Sequence, residues 1–435
     1  MHIFNELGSL IEQRWRDQNY DEDVFPEIAA EALAEAALDK HVSPWEIIRW
    51  LFNTTHIPNQ QDLPGRFGNP PITLFTGPRF HIDIYFWLDG TTSVHQHAFC
   101  GAFQVLAGSS IHSHYSFECR QQINEHFHVG ETKLEQVELL EQGRIKQILP
   151  GARYIHSLFH LDRPSATICV RTYHTASGAP QYNYVRPSFA IDPFFSEPLT
   201  IKQTQSAALL LAMEHPEALE MIDDLLAGAD FQTTFSILDL ARGHLGGKPL
   251  DDAFGLKSGE DQFQRLFETA RHRHGELADL IPPVFEESRR QNNLIHRRGR
   301  ITSPEHRFFL ALLLNVPGRE RVLEMVAQRF TDRDPVETVM DWMDELVNTK
   351  MLGSAEPNVL GIENGDDDYL FVFECLLRGR TLEQTVTALE EETTPEYAQQ
   401  QEQKITELYH SISSSILFKS IFADSAASAC EAAAL

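Results

Sequence analysis

Residues 77–109 read GPRFHIDIYFWLDGTTSVHQHAFCGAFQVLAGS. Within them Ile82, Ile84 and Phe86 fall on one face of a period-two pattern, and His81, Asp83 and Tyr85 fall on the other. Such alternation specifies a strand. Asp89-Gly90 supplies a turn, and His95 and His97 stand two apart on the next strand, so both imidazoles leave the same face. Gly108 closes the strand after that. Outward from this stretch the same period runs from about 72 to 192. Strands are expected at Phe80–Trp87, Ser93–Phe99, Ala102–Leu106, Ile111–Glu118, Glu125–Val129, Leu134–Leu140, Ile145–Ile148, Tyr154–Phe159 and Thr167–Tyr173. Short strands separated by turn residues predict a closed or double-sheet β fold.

The flanks follow a different period. From residue 1 to about 60 the pattern is helical, with Ser43-Pro44-Trp45-Glu46 reading as an N-cap followed by proline at the first helical position. Leu63–Pro78 is dense in Gly and Pro and reads as a linker. After Pro198 the helical period returns and continues toward the C-terminus. The expected division is a helical segment over 1–60, a β barrel over 61–192 and a helical domain over 193–435. Within the last, Pro335–Leu352 followed by Asn358–Ile362 and Tyr369–Phe373 reads as a helix and wing. Asp341, Asp344 and Glu345 turn it away from DNA and toward packing or dimerisation.

Composition excludes several classes. The 435 residues hold 36 Lys+Arg against 63 Asp+Glu, a net charge of −27 that repels phosphate backbones and anionic lipid. Neither a nucleic-acid nor a membrane partner is therefore expected. The one basic cluster, Arg289-Arg290, Arg297-Arg298 and Arg300, reads as a solvated helix end. Apolar runs such as Phe308–Leu314 are too short to span a bilayer, and the N-terminus has no signal-peptide pattern. The five cysteines are scattered without a Cys-x-x-Cys, which points to a reducing, cytoplasmic setting. Gly-x-Ser-x-Gly, P-loop and dinucleotide fingerprints are absent from the sequence.

Histidine carries the chemistry. Of 20 in the chain, many fall in the β region, where three pairs have His-x-His spacing: His95/His97, His112/His114 and His126/His128. His156 and His160 follow the later turn Pro150-Gly151. The order of turn, His-x-His, strand, Gly and distant turn-then-His resembles the two-part cupin motif over about 80–180. That resemblance implies an α+β protein with a central double-stranded β-helix, a jelly-roll barrel holding a metal in its lumen. His95 and His97 match the first motif, Gly108 its closing glycine, and His156 the histidine of the second. Gly101 stands where the family usually places a Glu ligand, and His160 where it usually places Asn. A cupin without that Glu is similar to the three-histidine thiol dioxygenases such as cysteine dioxygenase. This implies Fe(II), with Zn, Ni, Mn or Cu as other divalent occupants. Tyr173 matches the tyrosine of their Ser-x-His-x-Tyr triad, while Cys169 and Arg171 occupy its other two positions.

Imidazole ligands suit these metals, and three neutral ligands leave a charge that favours an anionic substrate. Arg171 and Arg79 are forked donors for a carboxylate. The expected site is thus His95, His97 and His156 as ligands, with His160 as a fourth ligand or a group behind them. Tyr173 and Arg171 are the candidate catalytic residues, and Arg79 and Tyr85 the candidate substrate contacts. His112, His114, His126 and His128 form a second site, complete the first, or line the barrel wall as a hydrogen-bonded face. The expected function is a mononuclear metal-dependent oxygenase or dioxygenase acting on a small anionic or thiol-containing substrate. The alternative is a non-catalytic metal- or ligand-sensing cupin that binds a protein partner, or another copy of itself, through its C-terminal helices.

Overall fold

The computed structural model describes the chain except residues 1, 176–177, 179, 196, 247–257, 351–355, 364 and 423–435. Eleven strands lie among the described residues: β1 (Pro71–Thr76), β2 (Phe80–Trp87), β3 (His95–His97), β4 (Gly101–Ala107), β5 (Ser110–Asn124), β6 (Phe127–Leu140), β7 (Ile145–Ile148), β8 (Gly151–His160), β9 (Ser165–Thr172), β10 (Asn183–Val185) and β11 (Phe189–Ile191). All pairings are antiparallel. One five-stranded sheet has the order β1-β2-β9-β4-β7, and the remaining strands close a barrel in the order β10-β11-β6-β5-β8-β3. The protein is therefore α+β, with helices on both sides of the strand region.

Strand β2 shows why the layers form. Every residue of FHIDIYFW is buried. Phe80, Ile82, Ile84 and Phe86 pack against Phe4, Leu7, Trp15 and Phe25 of the N-terminal helices. Tyr85 and Trp87, on the alternate face, pack with Phe99, Phe103, Tyr154 and Leu158 in the interior. Each fully buried Ile or Phe contributes about 1.5–3 kcal/mol, so the outward face of β2 alone anchors the N-terminal layer. The capping box at Ser43 is present, with Ser43 N donating to Glu46 Oε2 at 3.0 Å. On the far side, Ile111, Phe159 and Leu161 join the core of the helices between Leu294 and Phe422. Phe127, Val129 and Phe189 join that of the helices between Ala207 and Phe285.

Four sequence expectations are corrected. The strands expected at Glu125–Val129 and Leu134–Leu140 merge into β6, which pairs along its length with β5, and Glu125 and His126 form the turn between the two. The turn-rich stretch before Pro198 carries β10 and β11, which complete the barrel. Tyr369–Phe373 lies within the helix Asp367–Leu377, capped by the Asp366 side chain, so there is no wing at that point. The basic cluster is not a solvated helix end: Arg290, Arg297 and Arg298 are buried. Arg290 donates to the carbonyls of Leu313 and Leu314, both at 3.0 Å, and Arg297 Nη1 donates to that of Val359 at 3.1 Å. Carbonyls left over at loop and helix ends are what hold these guanidinium groups inside.

Candidate metal centre

The three histidines are assembled by register. His95 on β3 pairs with His156 on β8, which pairs on its other side with His114 on β5. Directly opposed residues share a face, so these rings stand side by side toward the interior. A bulge between His95 and His97 shifts the β3–β8 pairing, and His97 stays on the same side as His95. His95, His97 and His156 each offer a ring nitrogen, and these atoms all lie within 4.8 Å of one another. His97 Nε2 and His156 Nε2 are 2.9 Å apart. Two atoms each about 2.0–2.1 Å from an ion subtend about a right angle across that gap. His95 Nδ1 donates to the Ser93 carbonyl at 2.8 Å, which leaves its Nε2 lone pair free.

Electrostatics favour the ligand state. Burial pushes all three imidazoles below their ordinary pKa, most strongly His97 and His156, where neighbouring histidines add to the effect. His97 Nδ1 is buried with no hydrogen-bond partner, and its facing Nε2 atom meets another imidazole rather than a carboxylate. Three neutral nitrogen donors converging without an anion among them suit a divalent ion of imidazole-binding type.

His95 and His97 line a cavity of about 870 Å³ whose rim includes the loop Gly65–Asn69 and the turn Leu88–Ser93, and all three histidines line a small adjoining pocket of about 50 Å³. Asp83, Tyr85, Trp87, Phe99 and Arg171 line it with His95 and His97. The Arg171 guanidinium lies 3.9 Å over the Phe99 ring, and its Nε has no partner. Tyr85 donates to Asp83 Oδ2 at 2.8 Å, and Thr73 donates to Oδ1 at 2.7 Å. Burial would raise the Asp83 carboxyl, but its bonds from His81, Thr73 and Tyr85 outweigh that and hold it below the usual carboxylate range. A half-buried cation and a buried carboxylate thus share the wall beside the histidines.

The structure places the remaining sequence candidates as follows. Arg171 and Tyr85 face the cavity with the histidines. Tyr173 donates to the Gly77 carbonyl at 3.0 Å and packs at a tilt against the His81 ring, and it is not among the lining residues. Arg79 lies 4.3 Å over the Tyr20 ring, in contact with the N-terminal layer. His160 stands apart from the three-histidine group. Its Nδ1 meets Ser110 Oγ at 2.8 Å and Ser165 Oγ at 2.9 Å, and its ring stacks on Trp87. The other two His-x-His pairs disperse: His126 pairs with Asp192 at 2.8 Å, His128 packs on Tyr182 and His114 packs on Tyr154. His112 instead reaches His156, with Nε2 3.1 Å from Nδ1. Sequence reasoning passed over Asp83 and Glu138. The signal for Asp83 was a carboxylate alternating with Ile82 and Ile84 in a strand otherwise rich in large residues.

Gly101 is fixed sterically. A Cβ built there would lie 1.9 Å from the Val170 carbonyl oxygen, so no carboxylate side chain fits at that position. Cys100 is buried, and burial pushes its thiol up to about 11, which keeps it protonated and unreactive at neutral pH.

No family model matches the chain, and no curated protein matches it. Among solved structures it is similar to the capsular polysaccharide assembling protein CapF from Staphylococcus aureus. The identity is 13% over 31% of this chain and 33% of that one, with a TM-score of 0.21. The chain thus spans about a third of the length of CapF. It is also similar to the Drosophila melanogaster CENP-C cupin domain, at 12% identity over 30% of this chain and 99% of that one, with a TM-score of 0.16. A further match is Drosophila melanogaster CENP-C bound to CAL1, at 13% identity, 29% and 94% coverage and a TM-score of 0.17. Superpositions at this level transfer no ligand, partner or activity. Among the described residues no helix is long and apolar enough to cross a membrane.

Proposed function

We propose that the strand region, over 61–192, is a cupin-type double-stranded β-helix that binds one divalent metal ion on His95, His97 and His156. The helical segment 1–60 and the helical domain 193–435 cover it. The proposed activity is that of an Fe(II)-dependent oxygenase acting on a small anionic substrate in a reducing cytoplasm. The observation that carries this reading is the convergence of three buried, neutral imidazoles on one small pocket that a half-buried arginine also lines. A bound metal of this kind supplies adjacent open positions for substrate and oxygen.

The chain's own groups then divide the work. Arg171 faces the cavity with an unpartnered Nε and binds the substrate's anionic group as a charged donor. Tyr85, whose hydroxyl is tied to Asp83, flanks that position, and Asp83 balances the guanidinium charge when no substrate is present. Trp87, Phe99 and Phe103 exclude water from the deep end.

Metal content and oxygen uptake of the purified protein test the reading, in wild type and in His97→Ala. Stoichiometric metal that is lost in the variant, together with metal-dependent oxygen consumption in a screen of carboxylate, thiol and phenolic substrates, is the expected result. A wild type without stoichiometric metal overturns the site. Metal without oxygen consumption overturns the oxygenase activity and favours a sensing protein whose C-terminal helices bind a partner.

A further inference from the structure

Behind the three ligands runs a hydrogen-bonded series that crosses four strands. Lys146 Nζ donates to Glu138 Oε2 at 2.8 Å, and Glu138 Oε1 lies 2.9 Å from His112 Nδ1. His112 Nε2 lies 3.1 Å from His156 Nδ1, and His156 Nε2 faces His97. Register makes the series rigid. His112 on β5 is directly opposite Glu138 on β6, while on the other side His156 on β8 stands two register positions along from His112, on the same face. His112 and His156 are buried, and Glu138 reaches the surface with Lys146 beside it.

The order of donors follows from the two ends. An ionised carboxylate only accepts, so the His112 Nδ1 bonded to Glu138 carries the proton. A His156 that ligates through Nε2 carries its proton on Nδ1, 3.1 Å from His112 Nε2, so His112 Nε2 accepts and that ring is neutral. His112 Nε2 is therefore a lone pair. It accepts from His156 Nδ1, and the Tyr154 hydroxyl oxygen lies 3.1 Å from the same atom. His156 Nδ1 then carries its proton, and its Nε2 lone pair is left facing His97 and the metal position. One carboxylate on the surface thus sets two successive imidazole tautomers.

We propose that Glu138 and His112 are positioning residues that hold His156 in the tautomer and orientation in which Nε2 ligates the metal. This rests on the three-histidine reading above and assigns a purpose to the second His-x-His pair. Partners that orient a ligating histidine typically change metal affinity 10–100-fold when removed.

The test uses the full chain, metal-free, titrated with Co(II) against a chromogenic chelator, with the visible absorption of the bound Co(II) as a second readout. Wild type, His112→Phe, Glu138→Leu and Glu138→Gln are compared. Glu138→Leu and His112→Phe are expected to weaken Co(II) binding about 10–100-fold and to change the Co(II) absorption envelope. Glu138→Gln, whose amide oxygen still accepts from His112 Nδ1–H, is expected to recover most of the wild-type affinity and spectrum. Because Glu138 is partly exposed, its variants keep the comparison open if His112→Phe fails to fold. Wild-type binding with Glu138→Leu unchanged in affinity and spectrum, even at a lower melting temperature, overturns the positioning role alone. A wild type that binds no stoichiometric Co(II) overturns the three-histidine reading and the inference with it.

Discussion

Acidifying the metal-free protein isolates the contribution of one histidine. Burial, reinforced by the neighbouring Arg298 guanidinium, pushes the His160 imidazole down to about 3 from an ordinary value of 6.5. The folded chain therefore keeps His160 neutral while the unfolded chain takes up a proton below pH 6.5. Stability linked to this group is fully present above pH 6.5 and is lost as pH falls from there toward 3. At pH 5 the loss is about 2 kcal/mol, a sizeable share of a typical domain's stability. The perturbation is His160→Asn, whose short amide can still meet Ser110 and Ser165 but does not titrate. Urea midpoints at pH 7.5 and 5.0, with chelator present, give the pH-dependent part of the stability for each protein. The variant is weaker at both values because the ring stacked on Trp87 is gone. The diagnostic is the difference between pH values, which should be smaller by about 2 kcal/mol in the variant. The ligand histidines, also buried, titrate alike in both proteins and cancel. Equal pH dependence in the two would refute the buried, neutral assignment of His160.

Three further outcomes follow from specific contacts. Gly101→Ala drives a Cβ into the Val170 carbonyl, and the expected loss is at least about 3 kcal/mol, read from the shift of the denaturant midpoint. Arg171→Gln removes the charge that meets the substrate anion and should weaken its binding about 10–100-fold, measured by calorimetry or as a raised KM at unchanged metal content. Arg307→Met leaves Asp89 without its 2.6 Å partner and the Ile301 carbonyl without its 2.7 Å donor. About 3 kcal/mol should be lost in the melting transition.

How much of this was legible depends on whether the information is local. The alternation in FHIDIYFW specifies a strand with one apolar face, whereas the burial of its His81, Asp83 and Tyr85 face as well depends on the distant strands that enclose it. His95 and His97 were readable because two positions along a strand fix one face. His156 was reachable only through a motif resemblance, since nothing local says that β8 lies beside β3. His112 was visible as half of a pair, but its attachment to His156 and Glu138 depends on β5 lying between β6 and β8, and sequence does not specify register. Tyr173 and Arg171 sit two apart on paper, yet β9 ends at Thr172, so Tyr173 leaves the strand and turns to Gly77. The arginine cluster misled because local charge density resembles a solvated face. Its actual partners are carbonyls of distant segments.

That same cluster explains how a helical region shapes a site it does not enter. Arg298 donates to the Gly90 carbonyl at 2.6 Å, to the Thr91 hydroxyl and to the His160 carbonyl, and it lies 4.1 Å over the Phe159 ring. Arg307, fully buried, holds Asp89. Residues 88–93 form one rim of the cavity, and β8, which carries His156, ends at His160. Two guanidinium groups from the helices therefore fix both the rim and the end of the strand that supplies the third histidine. Removing apolar contacts between helices and barrel would lower stability in proportion to the area lost. Removing these donors would instead leave buried carbonyls unpaired at the two places where position sets the metal site. The C-terminal helices are thus part of what holds the site's geometry, whatever else their outer faces bind.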